Sequence, residues 1–421
     1  MENSIYVAKP KVVNDPILGL IEIKSPIILS LIEHRWLQRL RRINQLGLGE
    51  LVYPGARHNR FGHTLGATYL MELAIDTLRS KGEIISDEEK EAAMIAILLH
   101  DIGHCPFSHA LEYQIANVCH EDLSIVFMEK LNEEYNGRLS LALQIFKGEY
   151  HKKYLTKLIS GQLDVDRLDY LSRDSFFTGV TEGNVNTDRL IKLMAIDNDR
   201  LVVEKKGMYS IEKFLVARRL MYWQVYLHKT VHSAEQLLIS ILRRAKDLCH
   251  KGEDFFASPA LKFFLTHEVT VDDFRNDSIT ETGKTVLENF AMLDDSDLLV
   301  SVKTWSMHHD RVLSLLCQNL INRRLPKTMV QDKPVGKFME KYLRERVMQE
   351  FNLTKAESEY FVSSGTISNK AYSQNHDQIL VKEKEGNVIE IEKVADMMNI
   401  RALSTTISKF FISWPKNIEL E

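Results

Sequence analysis

Apolar residues recur close to the 3.6-residue helical period through most of the chain. In residues 26–46 they fall at Ile28, Leu31, Ile32, Trp36, Leu40 and Ile43, which predicts a helix. A Gly- and Pro-punctuated stretch, Gly47 to Gly55, then predicts a turn or short strand. The next helix starts at Asn59, a good N-cap residue, and runs to about Leu78. A third begins near Asp87 and continues to His100, where Gly103 and Pro106 end it. Further helices are predicted at about 120–134, 151–175 and 186–195, a short hairpin at 201–211 and a long helix at about 211–248.

The segment 250–325 continues the helical pattern, and its character shifts after Pro326. KTMVQ reads as a strand, 335–350 as a helix, SSGTISNKAYSQNHDQ as a polar stretch, and ILVKEKEGNVIEIEKV as alternation turning at Glu385-Gly386-Asn387. The expected fold is therefore mainly α, a helical core with short β-hairpins and a small C-terminal α+β appendage. The expected division is 1–240 for the core, 241–325 for a helical extension and 326–421 for the appendage. No repeat or low-complexity segment interrupts it.

Length and composition narrow the class. A chain of 421 residues suits one large domain with additions, or two to three domains. With 44% hydrophobic and 27% charged residues it is a folding sequence and not a disordered one. The apolar run Ala92–Leu99 is far short of the roughly 20 residues a membrane span needs. The opening MENSIYVAKPKVV lacks the apolar core of a secretory signal, so a soluble, cytoplasmic protein is expected, with no membrane partner. A net charge of −4 argues against a globally basic nucleic-acid binder. Cys105, Cys119, Cys249 and Cys317 are scattered, so neither a disulfide framework nor a thiolate zinc site is indicated.

Histidine is the residue type that changes the picture. Of 15 in the chain, His58, His63, His100, His104, His109 and His120 crowd into one region. His100 and Asp101 are adjacent at the end of a helix whose apolar face should be buried, and His104 lies one turn on. Such a pair is costly to bury unless something compensates it, and a divalent cation taking an imidazole nitrogen and a carboxylate oxygen would do so. The plainer alternative is a helix C-cap followed by a turn. The dipeptide has company, however. Arg60 and His63 share a helix face, and DVDRLDYLSRD sets Asp166, Tyr170 and Asp174 on one face beside Arg173, with Leu168 and Leu171 marking a partly buried helix. Arg35, Arg39 and Arg42 form a stripe read either as a solvated helix face or as a phosphate site between subunits.

Five ordered blocks carry a family resemblance: KVVNDPILGLIEI (11–23), QRLRRINQLG (38–47), PGARHNRFGHTLG (54–66), LLHDIGHCPFSHALE (98–112) and DVDRLDYLSRDSFFTGV (164–180). Together they resemble the deoxynucleoside triphosphate triphosphohydrolase branch of the HD-domain metal-dependent phosphohydrolases, well over about 1–235 and loosely beyond. The resemblance implies that His63, His100, Asp101 and Asp166 are metal ligands. Two imidazoles and two carboxylates suit Mn, Fe, Zn or Ni, and Mg as well where water and phosphate oxygens fill the shell. It implies cleavage of a dNTP at the α-phosphorus to deoxynucleoside and triphosphate. His109 would be the general acid, His104 a phosphate contact, and Glu112 with His120 a supporting acid–base pair, Glu112 standing where the family pattern has an aspartate. Arg60, Arg167 and Arg218 would hold the triphosphate, Tyr170 and Asp174 the deoxyribose, and Gln45, Leu46 and Tyr226 the sugar and base ends. Lys11, Asn14, Gln38 and Arg41 resemble an activating-nucleotide site, with Val52, Tyr53, His228 and Lys229 at a neighbouring effector site; Glu33 stands where the regulated enzymes use an aspartate to read guanine. Family members assemble as dimers or tetramers, so a homo-oligomer is expected. Two other readings keep some of these features. One is a phosphatase or phosphodiesterase acting on another nucleotide. The other is a nucleotide-sensing or single-stranded nucleic-acid-binding module with a silent metal site, motivated by the arginine stripe.

Overall fold

Helices form wherever the apolar period is sustained, and capping side chains set their ends. The computed structural model describes residues 10–369, 378–395 and 407–420. The helix after Asn59 runs Arg60–Ser80, with the Asn59 side chain accepting the Gly62 N–H. The next spans Asp87–Leu99 behind a capping box in which Ser86 and Glu89 satisfy each other's backbone N–H groups. The helix Val165–Thr178 starts at Asp164, whose carboxylate accepts the Arg167 N–H, and stops at left-handed Gly179. The Arg60–Ser80 helix packs against both of these helices, burying Leu70, Ala74, Ala93, Ala96, Leu168 and Leu171. The mainly α class is what the structure has.

Four predicted elements differ. Residues 26–46 are not one helix: the helix Pro26–Glu33 stops because His34 leaves helical geometry, and the His34 ring accepts the Trp36 N–H to start a new helix, Arg35–Arg39. Residues 151–175 divide into Lys153–Ile159 and Val165–Thr178. The hairpin lies earlier than 201–211, pairing Met194–Asp197 with Arg200–Glu204. Its turn residues Asn198 and Asp199 both take positive φ (+50° and +59°), the geometry of a tight hairpin turn. The long helix 211–248 is two, Met208–Met221 and Lys229–His250, separated by a π turn over Tyr222–Tyr226. The His228 ring accepts the Thr230 N–H and so caps the second.

Beyond Pro326, Ile407–Trp414 is the central strand of a three-stranded antiparallel sheet, flanked by Lys327–Gln331 and Ser363–Asn369. The stretch expected to be merely polar thus supplies a strand; its residues 370–377 lie outside the described residues. The alternating segment forms the expected hairpin, Leu380–Lys382 with Val388–Glu390, turning through Gly386 at φ +93°. Leu380–Lys382 also pairs in parallel with Arg200–Glu204, so one four-stranded sheet joins residues near 200 to residues near 385. A single buried apolar cluster reaches from Ile23 to Ile418, and the Lys229–His250 helix runs through residue 240. Among the described residues, no helix is long and apolar enough to cross a membrane.

Asp310 joins two of these helices. It caps Arg311–Ile321 by accepting the Leu313 N–H at 2.8 Å, and its two oxygens take Arg244 of the Lys229–His250 helix at 3.1 and 2.5 Å. Burial pushes the Asp310 carboxyl up, but the Arg244 hydrogen bonds and the Leu313 N–H outweigh it and hold the pKa below its ordinary value. Asp310→Ala is expected to lower stability in urea or thermal unfolding by about 2–3 kcal/mol at neutral pH, and Asp310→Asn by less because the cap survives. Because the folded-state pKa is depressed, this contribution is present above the unfolded value of about 4 and fades as pH falls below it. Equal stability of wild type and Asp310→Ala at pH 7 contradicts this account.

Candidate active site

Three helices bring the central cluster together. His63 sits in the first turn of Arg60–Ser80, His100 and Asp101 end Asp87–Leu99, and Asp166 opens Val165–Thr178. His63 donates from Nδ1 to Asp169 Oδ2 at 2.8 Å, so its Nε2 lone pair faces Asp166 Oδ1 at 3.0 Å and Asp101 Oδ2 at 3.6 Å. His100 donates from Nδ1 to the Ile97 carbonyl at 2.6 Å; its Nε2, buried and without a hydrogen-bond partner, faces Asp101 Oδ1 at 3.3 Å and Asp166 Oδ1 at 3.4 Å. Imidazole lone pairs and carboxylate oxygens at these separations repel unless a proton or a cation lies between them. Burial alone would lower the His63 pKa, but hydrogen bonding to Asp166 and Asp169, with Asp101 nearby, raises it to about 10. Burial alone would raise Asp101, yet Arg60, His100 and His104 hold it well below the usual carboxylate range. A donor set of imidazole and carboxylate groups sharing one point, with outer nitrogens fixed by a carboxylate and a carbonyl, fits a divalent cation.

The cluster forms the floor of a cavity of about 530 Å³. His104, His109 and His120 crowd on one side, with ring centroids 4.0–5.0 Å apart. Glu112 reaches two of them: Oε1 accepts His120 Nδ1 at 2.7 Å and Oε2 accepts His109 Nδ1 at 3.1 Å. Burial raises the Glu112 pKa, but these hydrogen bonds reverse it and keep the carboxylate ionised far into acid. Burial and then the Arg60 charge depress His104, which stays neutral. Its Nε2 is buried with no hydrogen-bond partner. Arg60 is fixed by Ser108 Oγ at 2.8 Å and Asp101 at 2.5 Å.

Asp174, also in the lining, is buried and accepts Tyr226 Oη–H at 2.8 Å and His58 Nε2–H at 2.7 Å. The Tyr170 and Tyr226 rings meet edge to face at 6.0 Å. Gln45, Leu46 and Arg167 also line the cavity, Arg167 while paired with Asp164. Arg218 does not line it: its guanidinium lies 5.9 Å from the Tyr222 ring, and it donates to Gln162. Lys11, Asn14, Gln38 and Arg41 share a separate cavity of about 280 Å³, whose wall includes His58 and Arg173. Tyr53 and His228 meet at 6.0 Å, but neither they nor Val52 nor Lys229 line these two cavities.

Sequence reasoning missed several partners. His58 was counted with the histidines but given no role. Asp169 hides inside the 164–180 block, and its ion pair with Arg173 extends to Asp15, each contact at 2.8 Å. The arginine stripe is divided: Arg35 and Arg42 are exposed, as a solvated face requires, and Arg39 is not. Arg39 is buried, donating to the carbonyls of Leu293 and His104, and Arg42 pairs with Asp294. Glu253, His308 and His309 also lie within reach of one ion. There, however, His308 Nδ1 accepts the Asp310 N–H, so Nε2 carries the proton toward Glu253 and cannot ligate.

Comparison with known proteins agrees with this geometry. The HD domain matches residues 60–174 and the HD associated region residues 185–256. A phosphohydrolase from Bacteroides thetaiotaomicron, known as a crystal structure, is 49% identical with a TM-score of 0.92, over 96% of this chain and 100% of that one. The uncharacterized protein YwfO of Bacillus subtilis is 35% identical over 76% of this chain and 72% of its own. This chain belongs to the HD-domain family. Within it the chain is a phosphohydrolase of the branch that includes human SAMHD1, a deoxynucleoside triphosphate triphosphohydrolase 29% identical over 58% of this chain and 46% of that protein. The match thus spans less than half the length of SAMHD1.

Close helix packing makes the cluster sensitive to one methyl group. A Cβ on Gly66 would stand 2.0 Å from Asp169 Oδ1 and 2.3 Å from Arg173 Nη2. Gly66→Ala is expected to cost at least about 1–3 kcal/mol in thermal or urea unfolding; an unchanged midpoint contradicts the close approach of these two helices.

Proposed function

We propose that this protein hydrolyses deoxynucleoside triphosphates to deoxynucleoside and intact triphosphate, at a divalent cation held by His63, His100, Asp101 and Asp166. The observation that carries the reading is the convergence of His63, His100 and Asp166 within reach of one ion, with Asp101 3.6 and 3.3 Å from the two imidazoles, in a cavity that Tyr170, Tyr226 and Asp174 also line. Mn, Fe, Zn, Ni or Mg all suit the donor set. A cation bound there lowers the pKa of water and offsets charge on the phosphate oxygens.

The chain's own residues supply the rest. Arg60, fixed between Asp101 and Ser108, and Arg167 present charge to the triphosphate. Arg218, outside the lining and 5.9 Å from the Tyr222 ring, adds charge at longer range. His109 is the most exposed of the three crowded rings, and Glu112 accepts from its Nδ1, which leaves Nε2 as the edge free to face a substrate. His109 is the general acid for the leaving 5′-oxygen, with Glu112 and His120 as its supporting pair. His104 meets the phosphate as a donor once the substrate's own charge reprotonates it. Asp174 accepts the 3′-hydroxyl, and Tyr170 occupies the space of a 2′-hydroxyl; Gln45, Leu46 and Tyr226 line the sugar and base ends.

The cavity formed by Lys11, Asn14, Gln38 and Arg41 supports an effector nucleotide, with Val52, Tyr53, His228 and Lys229 as a neighbouring contact surface. A homo-oligomer is the assembly this reading favours.

The test is product identification by anion-exchange chromatography with dNTPs, rNTPs and monophosphates in the presence of Mn. Deoxynucleoside plus uncleaved triphosphate is expected; orthophosphate or pyrophosphate, or single-strand binding without turnover, contradicts the reading. His109→Ala should lower kcat by about 100-fold or more with KM little changed. Faster turnover with added GTP supports the effector cavity, and equal rates remove it.

A further inference from the structure

Two turns on the cavity wall are held by a residue outside it. The Asn44–Leu46 turn carries Gln45 and Leu46; the Phe107–His109 turn carries Ser108 and His109. Phe107 and Ser108 both sit at positive φ (+56° and +57°), a conformation L side chains rarely adopt, so their surroundings must hold them. The holder is Asp295, buried at the start of the helix Asp295–Trp305. Its Oδ1 accepts the Phe107 N–H at 2.7 Å and its Oδ2 accepts the Asn44 N–H at 2.9 Å. From there the contacts run inward without a gap. Ser108 Oγ donates to the Asn44 carbonyl at 2.7 Å, Arg60 Nε donates to Ser108 Oγ at 2.8 Å, and Arg60 Nη1 donates to Asp101 Oδ2 at 2.5 Å. The residues beside Asp295 brace the same region, Leu293 through its carbonyl to Arg39 and Asp294 through Arg42. Arg39 in turn donates to the His104 carbonyl at 2.9 Å.

We propose that Asp295 is a positioning residue: by gripping both turns with one carboxylate it sets where His109, Arg60 and Gln45 stand around a bound triphosphate. A carboxylate is required because both neighbours are N–H donors; an amide offers one accepting oxygen and turns its NH2 toward the other donor. The proposal rests on the functional reading above only for the roles it gives those three residues.

The test uses the full chain with Mn, combining amide hydrogen exchange with steady-state dNTP kinetics on Asp295→Asn. Exchange is expected to rise at residues 43–47 and 104–113, with a loss in kcat of about 100-fold, since small misplacements of reacting groups have that effect, and a smaller rise in KM through the displaced Arg60 and Gln45. Mn affinity should stay near wild type, because the four donors of the cluster are untouched. Asp295→Glu should recover part of kcat. Wild-type exchange in both turns, or wild-type kcat, overturns the proposal, as does an equal loss through KM alone. Should Asp295→Asn not fold, Ser108→Ala cuts the same chain of contacts one link closer to Arg60. It is expected to show the same exchange signature with a kcat loss of about tenfold, and wild-type behaviour there overturns the proposal equally. A wild-type protein that turns over no dNTP defeats the functional reading, while the exchange result still decides whether Asp295 holds the two turns.

Discussion

Asp15, Asp101 and Asp169 have largely buried carboxylates, and each meets an arginine. Arg60 meets Asp101, while Arg173 spans Asp169 and Asp15 and His63 completes Asp169. Removing one member leaves another charge buried and unpaired, which typically costs about 3–5 kcal/mol. Good geometry is therefore compulsory. It locks the strand Lys11–Asp15, the helix Arg60–Ser80 and the helix Val165–Thr178 into one arrangement. Once those pairings are made, the unspent donors of His63, His100, Asp101 and Asp166 face one another with only a proton or a cation able to reconcile them. The cation site is in this sense a remainder of the packing.

The rest of the cavity is arranged by breaks in regular structure. The π turn at Tyr222–Tyr226 rotates Tyr226 onto Asp174 and leaves Tyr222 on the cavity wall. The left-handed Phe107 and Ser108 fold the segment between His104 and Glu112 back on itself, and Glu112 holds His120 beside it, so three imidazoles stand within 5.0 Å of one another by ring centroid. Such conformations persist only where their neighbours over-determine them. Here Asp295, Arg39 and Gly47 do so; a Cβ on Gly47 would lie 2.8 Å from the Phe107 carbonyl oxygen.

The parts of the site that sequence reading reached lie on helices whose spacing brings side chains to one face: His63 with Arg60, and Asp166 with Tyr170 and Asp174. Helix starts at Asn59 and Ser86 follow ordinary capping chemistry and fall where expected. What stayed hidden depends on distant partners or on unusual caps. Histidine is not a common cap, so nothing in the 26–46 or 211–248 periods announces that His34 and His228 restart helices with their rings. The Asn198-Asp199 turn is a local signal that was passed over for the hairpin one element later. Arg39 has the spacing of a solvated face, and its burial is accounted for by the distant carbonyls of residues 102, 104 and 293 and the Phe290 ring. Asp295 carries no local mark at all; its role exists only once the chain has brought it to Asn44 and Phe107.

The central claim is that one cation occupies the point shared by His63, His100, Asp101 and Asp166. Equilibrium dialysis of the metal-stripped full chain against Mn, with metal analysis, addresses it directly. One tightly held ion per chain is predicted, with affinity falling at least about 100-fold in His63→Ala, His100→Ala and Asp166→Ala, and unchanged in His308→Ala. An ion that survives all three substitutions, or one that is lost with His308, contradicts the account.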